Sequence, residues 1–249
     1  YSFKCKTNFM PFVIHVLKNK LKYETIFSLQ KSDFLYQNRF YTTSSVKNYL
    51  FKKFGGKTCC CHQRILIHLG KIGHFIETDI FFSFGKKSAE VLKMNGSKFK
   101  KIVPVGSLAF QRFWINSEKL KTPEFDIIFF GGNSAPAFAT DDRYLLNYYE
   151  QIEWLCNLSR KYPELKIAFK HHEGHPVEDK KEINILKKTS IKRIIKTEQG
   201  YLNLSYGYAM NAKVKLTWNS TMGYELLGHK IPCYFLDPKM ENKSFLHNY

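Results

Sequence analysis

The densest group of side chains able to do chemistry follows an apolar run in the second half of the chain. Lys170-His171-His172-Glu173-Gly174-His175-Pro176 comes directly after Leu165–Phe169, which reads as a strand. In an open α/β sheet the carboxyl ends of the strands line the ligand crevice. Lysine and protonated histidine bind phosphate, and neutral histidine bonds to a base or a sugar hydroxyl. The sequence therefore predicts an anion-binding site that contains Lys170, His171, His172 and His175.

A second group lies where a predicted strand ends and a predicted helix begins. Asn219, Ser220 and Thr221 follow the strand-like Val214–Trp218, and Ser220 is a preferred helix N-cap residue. The free backbone N–H groups and the dipole of a helix start attract phosphate. Glu225, one turn into the helix, is placed to accept bonds from ribose hydroxyls. An ordinary capped helix is the alternative interpretation.

A third group, Gly131-Gly132-Asn133-Ser134, follows the apolar run Phe125–Phe130. Glycines allow a ligand to approach the backbone closely. Gly131, Gly132 and Asn133 are therefore candidate ligand-binding residues. All three groups follow strands of one strand–helix array, so we expect them to open onto the same sheet edge.

The elements that must position these groups alternate between strand and helix. The helical spacing of apolar residues over Tyr144–Tyr162 separates two strand-like runs, and further short helices separate the later strands. Such alternation predicts an α/β fold with a mostly parallel sheet covered on both faces. Periodicity fades over 111–124, which predicts a linker there, with one domain at 1–110 and another at 125–249.

Composition limits the class of protein. The 249 residues carry 39 Lys and Arg against 21 Asp and Glu, a formal net charge of +18. Such a charge favours anionic partners, and the excess of Lys over Arg, without an RNP-like segment, argues against nucleic-acid recognition.

The longest apolar run, Phe9–Leu17, is interrupted by Pro11 and His15 and is shorter than the ~18 residues of a membrane span. Six cysteines without disulfide or zinc spacing indicate reduced thiols and a cytoplasmic protein.

Several familiar motifs fail on their spacing. Gly55-Gly56-Lys57-Thr58 ends like a phosphate-binding loop, but position 51 is Phe and a strand follows instead of a helix. No G-x-G-x-x-G is present. His172 and His175 are one residue too close for the helical zinc motif H-E-x-x-H, so no metal is predicted. A metal-dependent hydrolase that uses His171, His172 and His175 stays an alternative.

The late segment resembles that of nucleotide-sugar glycosyltransferases with two Rossmann-like domains, the GT-B type, which build bacterial capsules and other surface polysaccharides. Residues 219–232 are similar to the Ser/Thr turn, Glu-bearing helix and Gly-Lys-x-Pro of their donor domain. Residues 170–176 resemble the Lys-x-His-Pro element of sialyl-, Kdo- and polyol-phosphate transferases. Gly56–Gln63, Thr78–Gly85 and Val105–Ser107 resemble segments of the acceptor domain.

The resemblance implies two Rossmann-like domains that face each other across a cleft, the first of them short or truncated. It implies transfer of a sugar from a nucleotide-sugar donor to a surface-polysaccharide acceptor, without a metal or cofactor. His62, Asp79 and His172 are its candidate catalytic residues, and which histidine contacts the phosphate stays open. A nucleotide-sugar epimerase of the same fold is the nearest alternative. The basic surface is expected to contact anionic lipid at the inner face of the cell membrane.

Overall fold

A computed structural model describes the chain over residues 8–37, 45–62, 76–94, 96–116, 123–132, 142–172, 176–195, 201–218 and 220–236. The chain divides into two compact units, Tyr1–Val105 and Gly106–Tyr249. Each unit is an α/β structure with a parallel sheet, so the predicted pair of Rossmann-like folds is confirmed. No helix in the described part of the chain is both long enough and apolar enough to cross a membrane.

The first unit contains four parallel strands in the spatial order β1-β2-β3-β4. Its strands are β1 (Phe34–Gln37), β2 (Lys57–Cys61), β3 (Glu77–Ser83) and β4 (Lys98–Pro104), and its helices are α1 (Met10–Leu29), α2 (Ser45–Lys53) and α3 (Lys86–Met94). Cys60, Phe81 and Leu92 form one buried cluster, which joins β2 and β3 to α3. The cysteines of β2 thus act as small buried apolar residues.

Helix α1 was not predicted from the sequence, where Pro11 and His15 were considered only as interruptions of a possible membrane span. The structure places Pro11 in the first helical turn, where a missing N–H costs nothing. Only the second half of α1 packs firmly: Phe27 is buried against Leu50 and Phe51 of α2.

The second unit contains five parallel strands in the order β7-β6-β5-β8-β9. Its strands are β5 (Phe125–Phe130), β6 (Ile167–Lys170), β7 (Lys192–Ile194), β8 (Ala212–Thr217) and β9 (Tyr234–Phe235). Its helices are α4 (Leu108–Asn116), α5 (Asp142–Lys161), α6 (Lys180–Leu186), α7 (Tyr201–Met210) and α8 (Thr221–Gly228). Helix α4 extends into the segment that was predicted as a linker.

Apart from the partly exposed Asp126 near its start, strand β5 is buried on both faces, as its apolar residues predict. Ile128 and Phe130 belong to a cluster with residues of α4, α7 and α8. Phe129 belongs to a second cluster, with residues of α5 and α6. In the described part of the chain, helices therefore cover both faces of this sheet, so a ligand would approach it at the ends of its strands.

Candidate functional site

The order of strands in the second unit places the switch point, where a ligand crevice is expected, between β5 and β8. The chain proceeds from β5 through β6 to β7 on one side of the sheet and then returns to β8 and β9 on the other side. At such a switch point the two connections leave the sheet in opposite directions, and a ligand site opens at the carboxyl ends of the strands. The last residues of the two strands, Phe130 and Thr217, are register partners.

The β8 side of this crevice is the start of helix α8. The Ser220 Oγ accepts a hydrogen bond of 3.3 Å from the Met222 N–H, so Ser220 is the N-cap, as predicted. The Thr217 Oγ1 donates to the Phe130 carbonyl at 3.3 Å and accepts from the Ser220 N–H at 3.2 Å. Thr217 therefore links the end of β5 to the start of α8.

Gly223 brings the first turn of α8 onto the sheet. A Cβ atom at this position would lie 2.6 Å from Cζ of Phe235 and 2.9 Å from Cγ2 of Thr217. A side chain there would displace the ring of Phe235 and the methyl group of Thr217, or move the helix away from the sheet. The helix start, with Ser220 and Thr221 half-buried, is thus held close to the carboxyl end of β8.

The β5 side of the crevice contains Gly131 and Gly132, and both are buried. The Gly131 N–H donates to the Lys170 carbonyl at 3.0 Å. A Cβ atom at Gly131 would lie 3.0 Å from Cζ of Phe169 and 3.3 Å from the Lys170 carbonyl oxygen. The absence of a side chain at Gly131 is therefore explained by packing against β6, and its ligand-binding role stays a prediction.

The segment after β6 places Lys170 and His172 in half-buried positions beside this crevice. The Lys170 Nζ donates to the His171 carbonyl at 3.1 Å. The His171 side chain is only 1% exposed, and its Nδ1 lies 2.9 Å from Oε1 of Glu182. His171 thus contacts the interior of the unit, and its predicted donor contact is not tested.

Glu182, which holds His171, is a fully buried carboxylate that the sequence did not reveal. It accepts hydrogen bonds from the Tyr148 hydroxyl and, at 2.6 Å, from Nε of Arg193. Burial opposes its ionisation, but the bonds from His171, Tyr148 and Arg193 outweigh that effect and lower the pKa of Glu182. This network fixes the segment after β6 to α5, α6 and β7.

Glu225 lies in a different environment from the one predicted. Its carboxylate is buried and accepts hydrogen bonds from the Ser107 hydroxyl at 2.7 Å and from the Tyr206 hydroxyl at 2.9 Å. Burial raises the pKa of Glu225, and the two hydroxyl bonds offset only part of that effect. The contact joins α8 to α7 and to the start of α4, while the predicted ribose contact stays a prediction.

The two candidate catalytic residues of the first unit lie at opposite ends of its strands. His62 directly follows β2; it is buried, and its ring stacks on Phe84 with a centroid distance of 4.5 Å. Asp79 lies near the amino end of β3. Its carboxylate accepts bonds of 2.9 Å from both the N–H and the hydroxyl of Thr58, and the Nζ of Lys100 is 2.9 Å away. Nothing in these contacts tests either catalytic role.

The metal-dependent alternative finds no support. In the described part of the chain no three His, Cys, Asp or Glu side chains are grouped so that they could hold a metal ion. The Nδ1 of His171 contacts Glu182. Asn133, Glu173, His175 and Asn219 lie outside the described residues, so the structure does not place them.

No family model and no curated protein matches this sequence. Solved structures do match its fold. A Listeria monocytogenes protein assigned as a UDP-N-acetylglucosamine 2-epimerase is 12% identical with a TM-score of 0.60, over 93% of this chain and 64% of that one. The UDP-GlcNAc 2-epimerase of Methanocaldococcus jannaschii is 17% identical with a TM-score of 0.56, over 93% and 68%. The Neisseria meningitidis enzyme bound to UDP-GlcNAc is 12% identical with a TM-score of 0.55, over 93% and 67%.

These similarities establish the fold, and the chain spans slightly less than two thirds of the Listeria protein. They also correct the functional prediction. The prediction of a capsule glycosyltransferase is wrong: the matching structures are described as epimerases, which agree with the alternative of a nucleotide-sugar epimerase. One fold hosts many functions, so motifs that indicate the fold did not separate the two activities.

Proposed function

We propose that the second unit binds the diphosphate of a UDP-sugar at the carboxyl ends of β5 and β8, and that the protein epimerises the sugar at C2. The observation that supports this most strongly is the capped start of α8 at the switch point of the sheet. The solved proteins of this fold include a Staphylococcus aureus protein in complex with UDP and the Methanocaldococcus jannaschii epimerase in complex with UDP-GlcNAc and UDP.

The charge of the proposed site suits a diphosphate. The dipole of α8 places partial positive charge at its start, where the N–H groups of Met222 and Gly223 already donate to the hydroxyl and the carbonyl of Ser220. The Ser220 hydroxyl, which accepts one of these bonds, has a hydrogen to donate to a phosphate. Lys170 supplies a cationic group and His172 an imidazole N–H donor from the neighbouring strand end. We assign Ser220, Thr221, Lys170 and His172 to the phosphates. Epimerisation needs no second substrate, so the glycan acceptor predicted from the sequence is not retained.

The proposed reaction has a simple requirement. Inverting C2 of the sugar breaks its C–H bond, and because no carbonyl group lies beside C2, the electron pair of that bond forms a C1–C2 double bond as UDP leaves C1. A proton then adds to the opposite face of C2 while UDP bonds again to C1, so every atom of the substrate is recovered in the product. A base and an acid must therefore act on the two faces in turn. When the returned proton comes from solvent, the product formed in D₂O carries deuterium at C2.

Calorimetric titration with UDP tests the binding half of this proposal. We expect the full chain to bind UDP, and His172→Ala to weaken binding about tenfold or more, because a charge-assisted hydrogen bond contributes about 1.5–3 kcal/mol. His15→Ala, an exposed histidine of α1, is the matched control and should leave affinity unchanged. Absence of UDP binding by the wild-type protein would refute the site.

Incubation with UDP-N-acetylglucosamine in D₂O, followed by proton NMR, tests the chemical half. We expect loss of the C2 proton signal and appearance of the N-acetylmannosamine epimer. UDP binding without either change would show that the chain binds the nucleotide but does not catalyse epimerisation.

A further inference from the structure

The first half of helix α1 exposes an apolar stripe. Met10, Ile14, Leu17 and Leu21 are 61%, 46%, 51% and 66% exposed. Their spacing of four, three and four residues places them on one side of the helix. Four large apolar side chains in a row on solvent are unusual for a surface helix, which normally presents polar residues there.

This stripe is not the face that holds α1 to the unit. Tyr23, Ile26 and Phe27 pack against α2, and at 100° per residue they lie more than about 90° around the axis from the stripe. The packed face therefore already has its partner. Val13, 43% exposed, lies beside the stripe, whereas Phe12, 67% exposed, lies on the opposite side of the helix.

Lysines flank the stripe on both sides. Lys18 and Lys20 are exposed, and the helical period places one on each side of the line formed by the four apolar residues. Glu24 is the single acidic residue of α1, and its Oε1 lies 4.0 Å from Nζ of Lys20 and 3.9 Å from Nζ of Lys53. The surface around the stripe is thus cationic.

We propose that α1 lies flat on a membrane surface that contains anionic lipid. In this position the apolar stripe enters the boundary between headgroups and acyl chains, about 5–10 Å deep, while Lys18 and Lys20 reach the phosphates. A line of apolar side chains between two cationic edges matches that boundary, which is apolar below and anionic above. This proposal is independent of the UDP site, which lies in the second unit.

Sedimentation with vesicles tests this proposal on the full chain. We expect binding to vesicles that contain phosphatidylglycerol and much weaker binding to vesicles of pure phosphatidylcholine. Lys18→Glu with Lys20→Glu should weaken binding about 30-fold or more, because each basic residue near the surface contributes about fivefold. Lys187→Glu with Lys188→Glu changes the net charge equally in the second unit and is the matched control.

A second pair of variants tests the apolar part. Leu17→Gln with Leu21→Gln should weaken vesicle binding at least tenfold, whereas Leu146→Gln, a 50% exposed leucine of α5, should not. Circular dichroism checks that each variant is folded. Equal binding by the stripe variants and their controls would overturn the proposal. So would a concentration-dependent dimer of the wild-type protein that Leu17→Gln with Leu21→Gln abolishes, since the stripe would then bind a second copy of the chain.

Discussion

Asp79 in the first unit and Glu225 in the second are both buried carboxylates, yet their surroundings act on them in opposite directions. Burial alone would raise the pKa of Asp79, but the bonds from Thr58 and Lys100 outweigh it and lower the pKa to about 2. Glu225 accepts bonds only from the hydroxyls of Ser107 and Tyr206, and its pKa is raised. Asp79 accepts bonds from a backbone N–H, a hydroxyl and a lysine ammonium, whereas Glu225 accepts two hydroxyls and is shielded more completely from water, so both the donors and the desolvation make the difference.

Glu182 shows that the direction of the pKa shift depends on the hydrogen-bond donors and not on which unit contains the carboxylate. It lies in the same unit as Glu225 and is also buried, but it accepts bonds from His171, Tyr148 and the guanidinium of Arg193, and its pKa is lowered. A buried carboxylate with a cationic partner thus stays ionised, whereas one with neutral partners is drawn toward its protonated form.

Of these three carboxylates, Glu182 should cause the largest loss in the free energy of unfolding when it is replaced. Glu182→Leu leaves the mostly buried Arg193 without its carboxylate, which typically costs about 3–5 kcal/mol. Tryptophan fluorescence during urea unfolding measures this, because Trp114, Trp154 and Trp218 all lie in the second unit. Glu178→Leu, an exposed position close by, is the control and should change stability by less than about 0.5 kcal/mol. A similarly small loss for Glu182→Leu would contradict the conclusion that the bonds to Glu182 stabilise the second unit.

The second largest effect should be the loss of stability of the first unit at low pH, which we attribute to protonation of Asp79. Because its folded pKa of about 2 lies below the ordinary value of 3.8, its contribution is fully present above pH 4 and is lost as pH falls from about 4 to 2. The loss is at most about 2 kcal/mol. Hydrogen exchange of the Thr58 amide, which donates to Asp79, reports it. Asp79→Asn should lack this pH dependence; a variant that keeps it would assign the effect to other groups.

The contribution of Glu225 to stability should change with pH in the opposite direction from that of Asp79, and by a smaller amount. The raised pKa of Glu225 means that the second unit loses part of its stability as pH rises from 4.5 through the folded pKa. Glu225→Gln removes the buried charge, and the two hydroxyls can reorient toward the amide, so unfolding free energy at pH 7 should change by less than about 1 kcal/mol. Fluorescence-monitored urea unfolding measures it, with exposed Glu164→Gln as control. A loss above 2 kcal/mol would show that Glu225 behaves like Glu182.

Local sequence signals were sufficient for much of the second unit. The apolar run Phe125–Phe130 and the Ser220 cap each depend on neighbouring residues, and the structure has both where they were predicted. Partners distant along the chain could not be found in this way. Ser107 and Glu225 are 118 residues apart, and no local pattern indicates that one donates to the other.

The first unit was harder to predict because its signals are ambiguous when read locally. Pro11 suggested an interruption, although it occupies a position in α1 that tolerates proline. Asp79 was chosen for its type and position near a strand, while its bonds to Thr58 depend on the register between β2 and β3. The choice between transfer and epimerisation had no signal of its own in the motifs, since both activities use the same fold.

The close contact at Gly223 makes the last strand part of the proposed binding site without any contact to a ligand. The ring of Phe235 limits how near α8 can come to β8, so the size of residue 235 sets the depth at which the helix offers its N–H groups. Aromatic or aliphatic replacements at residue 235 would shift the start of the helix, together with Ser220 and Thr221, and so change the affinity of the proposed phosphate site.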